Sequence, residues 1–280
     1  MFPTEGLCSE LECVTGPIRN LGSLIILNAS AIGVSSRGKC QILAVEPSSE
    51  AASFAEYGED LVLLSALNTI NRGFYIDVGA MDAVTASVTK LFYEAGWNGI
   101  NIEPCRRWFD TLVAHRPRDV NLCLAASNHV GFVTLHEISN SGLSTTIDKY
   151  FDEYKAQGLP HRSYSVPCRP LSDICAEYVR GDIHFLKIDV EGAEKSVLQG
   201  CDFNRFRPWL LAIEATVPRT RTACHGEWED LVLGAGYDFA LLHGINRYYL
   251  ARERFGLKAL IQQPKLSQLS FEPTTHPPSA

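Results

Sequence analysis

The sequence predicts an α/β fold built on a doubly wound, mostly parallel sheet. Apolar strand-like runs alternate with segments of helical spacing along most of the chain, and alternating β and α units pack as a parallel sheet with helices on both faces. The runs Phe74–Val78 and Ile183–Val190 carry carboxylates near their ends and are followed by glycine, a pattern typical of strand ends that hold ligands. A late pair of runs around Gly244-Ile245-Asn246 indicates a hairpin, so we expect an antiparallel edge.

The individual elements follow from periodicity and from turn residues. The predicted strands of the main domain are Phe74–Val78, Ile100–Glu103, Asn121–Ala125, Phe132–Glu137, Ile183–Val190, Trp209–Glu214, Phe239–Leu242 and Arg247–Ala251. The predicted helices are Glu50–Asn71, Ser87–Ala95, Arg106–His115, Ala193–Gln199 and Glu227–Leu233. We expect Thr85 or Ser87 to cap the second helix and Phe132–Glu137 to lie beside Asn121–Ala125.

The composition divides the chain into three parts. Residues 1–50 are irregular and predict an extension with short strands near Ser23–Leu27 and Gln41–Val45. Residues 51–255 predict the main domain, in which the long insert 139–182 is expected to be a lid or substrate element. The proline-containing residues 256–280 predict a flexible tail.

Charge and cysteine content limit the function classes. The net charge of −7 over 280 residues argues against a nucleic-acid partner and fits an enzyme acting on a small or neutral substrate. The nine cysteines show no C-x-x-C spacing, which predicts reduced thiols in a cytoplasmic protein. The apolar run from Leu24 to Val34 is too short to span a bilayer, so we expect neither a membrane span nor export. The sequence does not indicate an oligomeric state.

The segment Asp77-Val78-Gly79-Ala80 occupies the first ligand loop of the predicted sheet. It holds one glycine where a dinucleotide site has three, which weakens the case for NAD. S-adenosylmethionine (SAM) has no phosphates, and an acidic residue beside a closely approaching backbone suits its amino group and sulfonium better. We therefore interpret Asp77, Gly79 and Ala80 as cofactor-binding.

Two further positions complete this candidate nucleoside site. Glu103 ends the second strand of the domain, where a carboxylate accepts hydrogen bonds from both ribose hydroxyls. Ala125 and Ala126 follow at the third strand, where small residues leave room for adenine. A solvated strand-end charge is the alternative for Glu103, as a loop-capping role is for Asp77.

A second group of carboxylates follows the later strands. Asp189, Glu191 and Glu214 lie at or just past the ends of Ile183–Val190 and Trp209–Glu214. Clustered carboxylates can raise one pKa and supply a general base, or they can hold a divalent cation. A structural ion network is the alternative, and Lys187 is expected to pair with one of these acids.

Histidines offer further candidate proton acceptors near neutral pH. His225 precedes a predicted helix and His243 lies in the predicted hairpin turn. A solvated loop histidine is the alternative for each.

Taken in order, several segments of the chain resemble the FkbM-like family of SAM-dependent methyltransferases, over about Phe54 to Glu253. These segments are Tyr57-Gly58-Glu59-Asp60, Phe74-Tyr75-Ile76-Asp77-Val78-Gly79-Ala80, Ser87-Val88-Thr89-Lys90, Gly96-Trp97-Asn98-Gly99-Ile100-Asn101-Ile102-Glu103-Pro104, Ser141-Gly142-Leu143-Ser144-Thr145, Leu186-Lys187-Ile188-Asp189-Val190-Glu191-Gly192-Ala193-Glu194, Ile213-Glu214-Ala215-Thr216 and Asn246-Arg247-Tyr248-Tyr249. The resemblance implies a seven-stranded Rossmann-like sheet, SAM as methyl donor and O-methylation of a hydroxyl on a sugar, glycan or natural product.

The resemblance also distributes roles. Asp77 and Gly79 would bind the methionine end of SAM, Glu103 the ribose, and Ala125 with Ala126 the adenine edge. Asp189, Glu191 and Glu214 would line the acceptor side. The chain departs from the family pattern at Met81, where a small polar residue is usual, and at His243, where an aspartate is common.

Two other function classes stay open at this point. A nicotinamide-dependent oxidoreductase would use the same type of sheet but predicts a glycine-rich first loop. A non-catalytic nucleoside-binding protein would keep the fold and predicts a decayed crevice, whereas Asp77, Glu103 and Asp189 are all present.

Overall fold

The computed structural model describes residues 32–34, 40–42, 53–139 and 141–261. The chain divides into two compact units, residues 1–50 and 51–280. In the first unit, β1 (Ile32–Val34) pairs antiparallel with β2 (Cys40–Ile42). The predicted strand Gln41–Val45 overlaps β2, and the predicted strand Ser23–Leu27 lies outside the described residues.

The second unit contains the predicted alternation of strands and helices. Its strands are β3 (Phe74–Val78), β4 (Asn98–Ile102), β5 (Val120–Leu122), β6 (Ala125–Ser127), β7 (Gly131–Ile138), β8 (His161–Pro170), β9 (Phe185–Ile188), β10 (Leu210–Glu214), β11 (Tyr237–His243) and β12 (Asn246–Ala251). Its α-helices are α1 (Glu59–Leu67), α2 (Lys90–Glu94), α3 (Arg106–His115), α4 (Asp148–Ala156), α5 (Leu171–Tyr178), α6 (Glu194–Gln199) and α7 (Glu229–Gly234).

Seven of these strands form one mostly parallel sheet in the order β11-β12-β10-β9-β3-β4-β5. The strands from β10 to β5 are parallel, and β12 runs antiparallel to both β10 and β11. The expected antiparallel edge is therefore confirmed. After β3 the chain builds β4 and β5 on one side, and β9 later joins the other side of β3. This reversal is a topological switch point, where open α/β sheets hold ligands beyond the carboxyl ends of their strands.

Side chains of the main sheet alternate between two apolar cores, as strand geometry requires. Ile76 and Val78 point into a core shared with α5, α6 and α7. Tyr75, one position away, points into a second core shared with α1 and α2. The sheet is covered by helices on both faces, which is the doubly wound arrangement that the sequence predicts.

A second sheet of three strands, in the order β6-β8-β7, corrects part of the sequence interpretation. The run Asn121–Ala125 is not one strand, because β5 ends at Leu122 and Ala125 begins β6 in the second sheet. Residues 132–137 belong to β7, which pairs with β8 and not with β5. The insert 139–182 is largely regular structure, since it contains α4, β8 and α5.

Several predicted boundaries also differ from the structure. The first helix begins at Glu59 instead of Glu50, and the second begins at Lys90, with Thr89 as the N-cap residue and no side-chain cap bond. Ser87 accepts a hydrogen bond from the Arg116 guanidinium instead of capping a helix. Regular structure continues past residue 255 in a 3₁₀ helix, Arg252–Ala259. The rest of the predicted tail 256–280, from residue 262 onward, lies outside the described residues.

Candidate functional site

An open cavity of about 1530 Å³ lies at the carboxyl ends of β3, β4 and β9. Most of the predicted site residues line it together: Gly79, Ala80, Glu103, Ala125, Ala126, Asp189 and Glu191. Within the described part of the chain, Asp77, Glu214 and His225 lie outside this lining. Although β6 belongs to the second sheet, its two alanines still contribute to the same cavity as the ends of the main sheet.

The loop after β3 depends on glycine. Gly79 has φ +77°, and a Cβ built on it would lie 1.8 Å from the carbonyl oxygen of Asp189. Only a residue without a side chain lets the β3 and β9 loops approach this closely. Met81 follows in the left-handed region at φ +50°, which is uncommon for a residue of its type, and its N–H donates to Glu103 Oε2 at 2.8 Å.

Glu103 is held rigidly at the end of β4. Its Oε2 accepts the Met81 N–H, and its Oε1 accepts the Cys105 N–H at 2.8 Å. Burial raises the pKa of Glu103 to about 7, and the backbone hydrogen bonds oppose this rise. Each carboxylate oxygen has a second lone pair, so the group can accept two further hydrogen bonds from neighbouring hydroxyls.

Lys187 connects the ends of β3 and β9 through one ammonium group. Its Nζ donates to the Gly79 carbonyl at 2.9 Å and lies 3.4 Å from Asp77 Oδ1 and 3.6 Å from Asp189 Oδ2. The other oxygen of Asp77 accepts the Thr89 hydroxyl at 3.1 Å. The expected ion pair of Lys187 is confirmed, and it involves two acids. Burial raises the pKa of Asp77, while the ammonium opposes this shift.

Glu191 and Glu214 are carboxyl groups near the ends of β9 and β10 whose hydrogen bonding is incomplete. Oε2 of each is buried with no hydrogen-bond partner among the described residues, and so is the hydroxyl of Tyr154. Burial, followed by the charges of Asp189 and Glu191, raises the pKa of Glu214 to about 11. Burial and the charge of Asp189 likewise raise the pKa of Glu191 well above its usual value. Glu214 therefore holds a proton at neutral pH.

Three hydrogen bonds hold the loop between β9 and α6 in place. Glu194 Oε1 accepts the Val190 and Gly192 N–H groups, each at 3.1 Å. The Thr145 hydroxyl donates to the Glu191 carbonyl at 2.8 Å. Glu191 itself adopts φ +53°, a left-handed conformation that the surrounding contacts must maintain.

The two candidate histidines have different environments. His225 lies in a short 3₁₀ helix, with Nε2 3.8 Å from Glu229 Oε2, and the structure does not bring it to the cavity carboxylates. His243 Nε2 lies 2.7 Å from the Tyr57 carbonyl oxygen. Because a carbonyl only accepts, this nitrogen carries the hydrogen and donates. His243 thus tethers the hairpin turn to Tyr57 and does not serve as a proton acceptor there.

Sequence reasoning missed one wall of the cavity, the strap formed by residues 53–57. Asp60 accepts the Ser53 hydroxyl at 2.6 Å and the Phe54 N–H at 2.7 Å. Glu59 accepts the Tyr57 N–H at 2.9 Å and the Asn246 side-chain amide at 3.0 Å. The available signal was the pair of segments at Tyr57–Asp60 and Asn246–Tyr249, which the structure shows to be in contact.

Trp108 is a second lining residue that sequence reasoning did not single out. It packs beside Ala125 and Leu135 from α3, and the Arg107 guanidinium lies 4.1 Å from its ring centroid. A flat apolar surface next to the small residues of β6 can pack against a planar ring. The sequence signal was only an amphipathic helix.

The described residues contain neither a candidate metal-ligand cluster nor a helix that could span a membrane. Among residues 53–139 and 141–261, no group of three or more His, Cys, Asp or Glu side chains is arranged to hold a metal ion. No helix in the described part of the chain has the length and apolar character needed to cross a bilayer. The predicted divalent cation stays a prediction.

Comparison with known proteins agrees with this architecture. The family model of the methyltransferase FkbM domain matches residues 77–239, which is more than half of the chain and includes every predicted site residue except His243. No curated protein matches the chain at a significant level. The seven-stranded, mostly parallel sheet is the Rossmann-like fold expected of such an enzyme. The chain therefore belongs to the FkbM methyltransferase family.

Proposed function

We propose that this methyltransferase uses SAM to methylate a hydroxyl oxygen on a sugar, glycan or other natural product. The observation that carries the proposal is that one cavity joins the Gly79 loop and Glu103 at one end to Asp189 and Glu191 at the other. A nucleoside site and a group of acids therefore border the same space, as a transfer reaction between two substrates requires.

The residues at the first end fit SAM. Glu103 has accepting capacity for two ribose hydroxyls, and Ala125 and Ala126 leave room beside Trp108 for adenine. Gly79 lets the backbone approach closely, and the Asp77–Lys187 pair provides charge beneath the loop. When bound, SAM supplies an electrophilic methyl group on its sulfonium.

The chain's own contribution is mainly orientation. Walls that hold the acceptor oxygen in line with the methyl carbon and sulfur can supply a large share of the barrier reduction. We assign Asp189 to accept the hydroxyl proton, because its carboxylate lines the cavity with 28% of the side chain exposed. Burial raises the pKa of Glu214 to about 11, so this group already holds a proton at neutral pH and cannot accept another; the pKa of Glu191 is raised as well.

The charge of the acceptor side favours an uncharged acceptor. The acids Glu56 and Asp189 line this region, and the nearby cation Lys187 already contacts two carboxylates. An anionic group would meet like charges there, whereas a neutral hydroxyl can donate a hydrogen bond to the partly exposed Asp189 carboxylate. This supports a polyol, such as a sugar, over a phosphorylated or carboxylated molecule.

The proposal includes the cellular location of the protein and the class of its partner. The described cysteines are free thiols, which fits a cytoplasmic location. The net charge of −7 fits a small-molecule or glycan partner and does not favour nucleic acid or an anionic membrane surface.

Titration calorimetry tests the donor. We expect the protein to bind SAM and not NAD. Binding of NAD instead would support an oxidoreductase, and binding of neither would support a non-catalytic protein.

A labelled-methyl assay across sugars, glycans and small alcohols then tests the reaction. Asp189→Asn is expected to lower turnover by about 10²-fold or more, as for loss of a general base, while SAM still binds. The matched control is Asp110→Asn, because Asp110 is an exposed acid paired with Arg106. Unchanged turnover in Asp189→Asn would remove Asp189 from catalysis.

A further inference from the structure

Lys187 is a cation enclosed within the main sheet, and the proposed methyl transfer uses it only as a charge beneath the Gly79 loop. It lies in β9 directly opposite Asp77 of β3 and is 8% exposed. Its Nζ reaches the Gly79 carbonyl on one side and the Asp189 carboxylate on the other. A buried lysine carries a large desolvation cost, so its position at this junction requires an explanation.

We propose that Lys187 is a positioning residue: one ammonium balances the Asp77 and Asp189 carboxylates and fixes the Gly79 loop against the end of β9. The part of this inference that concerns SAM rests on the proposed function. The part that concerns the charges of the ligand-free protein does not.

The contacts show why one cation serves both ends of the cavity. Among the residues that the structure describes, Asp77 Oδ1 has no hydrogen-bond partner apart from its 3.4 Å contact with the ammonium. The Gly79 loop has no room for a side chain at its approach to Asp189. The Lys187 ammonium donates to the Gly79 carbonyl and lies 3.6 Å from Asp189 Oδ2. This one group therefore links the donor loop to the acid that we assign as proton acceptor.

The surrounding charges make this cation necessary. The acids whose charges act on Lys187, Asp77 or Asp189 come from several elements and are Glu59, Glu103, Glu191, Glu194 and Glu214. Burial alone would lower the pKa of Lys187, but Asp77 and Asp189 raise it above its usual value. Without the ammonium, the buried Asp77 carboxylate loses the charge that opposes the rise of its pKa, so it takes up a proton more readily.

The first test needs no ligand. In Lys187→Met, the folded protein binds protons that the unfolded chain releases, so stability falls as pH rises between about 5 and 8. We expect the midpoint of thermal unfolding, relative to wild type, to drop across this range. The double variant Asp77→Asn/Lys187→Met, which removes one charge of each sign, should reduce this drop. Lys195→Met is the control at an exposed position of α6.

The second test is the affinity for SAM as a function of pH. Lys187→Met should bind SAM about tenfold or more weakly near pH 6, one unit of pKa shift being one factor of ten, and should recover as pH rises and Asp77 ionises. Lys187→Arg keeps the charge and should keep the pH profile of wild type.

The outcomes separate the two proposals. Wild type that fails to bind SAM, together with the expected pH-dependent stability of Lys187→Met, would remove the proposed donor and leave the charge role of Lys187 standing. A Lys187→Met variant whose stability profile is parallel to that of wild type would overturn the positioning role. A loss of SAM affinity that is the same at every pH would overturn the charge role, because only the lost hydrogen bond to the Gly79 carbonyl would explain it.

Discussion

The two ends of the cavity differ in how their carboxyl groups are satisfied. At the donor end, both oxygens of Glu103 accept backbone N–H groups at 2.8 Å. At the acceptor end, Glu191 and Glu214 each keep one buried oxygen without a partner among the described residues. Buried polar groups are rarely left unpaired. The difference indicates that the donor end is built in advance, whereas the acceptor end keeps buried carboxyl oxygens whose hydrogen bonds the described residues do not supply.

The backbone differs less between the two ends than the hydrogen bonding does. The donor loop turns at Gly79, a residue that tolerates φ +77° without cost, while the acceptor loop turns at Glu191 with φ +53°. A non-glycine residue in this region is strained and persists only where its surroundings enforce it. Both loops contain one such residue, because Met81 of the donor loop adopts φ +50°.

The largest expected effect is that of Gly79→Ala, which alters the preformed donor end of the cavity. The new Cβ would lie 1.8 Å from the Asp189 carbonyl oxygen at a positive φ, so backbone must move. We expect the free energy of unfolding to fall by about 2–4 kcal/mol, measured by urea denaturation.

The matched control for Gly79→Ala is Gly226→Ala, where no atom lies within 4 Å of the added Cβ. It should change stability by less than about 0.5 kcal/mol. Equal losses in the two variants would show that the close approach of the β3 and β9 loops is not a constraint.

An intermediate effect is expected for Glu214→Gln at the acceptor end. The pKa of Glu214 is about 11 in the folded protein against 4.5 for an ordinary glutamate, so folding takes up a proton. Its contribution to stability is full below the ordinary pKa and is lost as pH rises towards 11, at up to about 1.4 kcal/mol per pH unit. Glutamine removes this uptake.

Thermal unfolding between about pH 5 and 9 checks this expectation. The profile of Glu214→Gln should fall less steeply than that of wild type, and the exposed Glu153→Gln should follow wild type. A profile of Glu214→Gln parallel to that of wild type would mean that Glu214 is ionised in the folded protein.

The smallest effect is expected for His225→Ala, which tests whether the acceptor end extends beyond the cavity. His225 does not line the cavity and lies 3.8 Å from Glu229. Turnover in the labelled-methyl assay should therefore change by less than about threefold, compared with the 10²-fold or more typical of a lost general base. A drop of about 10²-fold or more would indicate that His225 takes part in catalysis.

Much of the main sheet could be predicted because its strands are short apolar runs with clear punctuation. The second sheet could not. Asn121–Ala125 is a continuous strand-like run, yet the chain leaves one sheet at Leu122 and enters another at Ala125. Pro167 lies inside β8 opposite Phe132 of β7. A proline argues against a strand in sequence reasoning, so the local pattern does not predict β8 within the insert 139–182.

The site shows the same division between local and distant information. The positions of Asp77, Gly79, Glu103 and Asp189 at strand ends follow from local patterns and from the geometry of parallel sheets. The tether between His243 and Tyr57 joins residues that are 186 positions apart, and no local pattern reports it. Likewise, a lysine in an apolar strand predicts an ion pair but not its bond to the Gly79 carbonyl.

The most direct test of the difference between the two ends is the SAM affinity of Glu103→Ala compared with that of Glu191→Gln, measured by titration calorimetry. Glu103→Ala removes the charged acceptor of the donor end. It should lose about 3 kcal/mol of binding free energy, or roughly a hundredfold in Kd. Glu191→Gln alters only the acceptor end and should bind SAM within about threefold of wild type. Equal losses in the two variants, or full affinity in Glu103→Ala, would contradict the assignment of one end to the donor and the other to the acceptor.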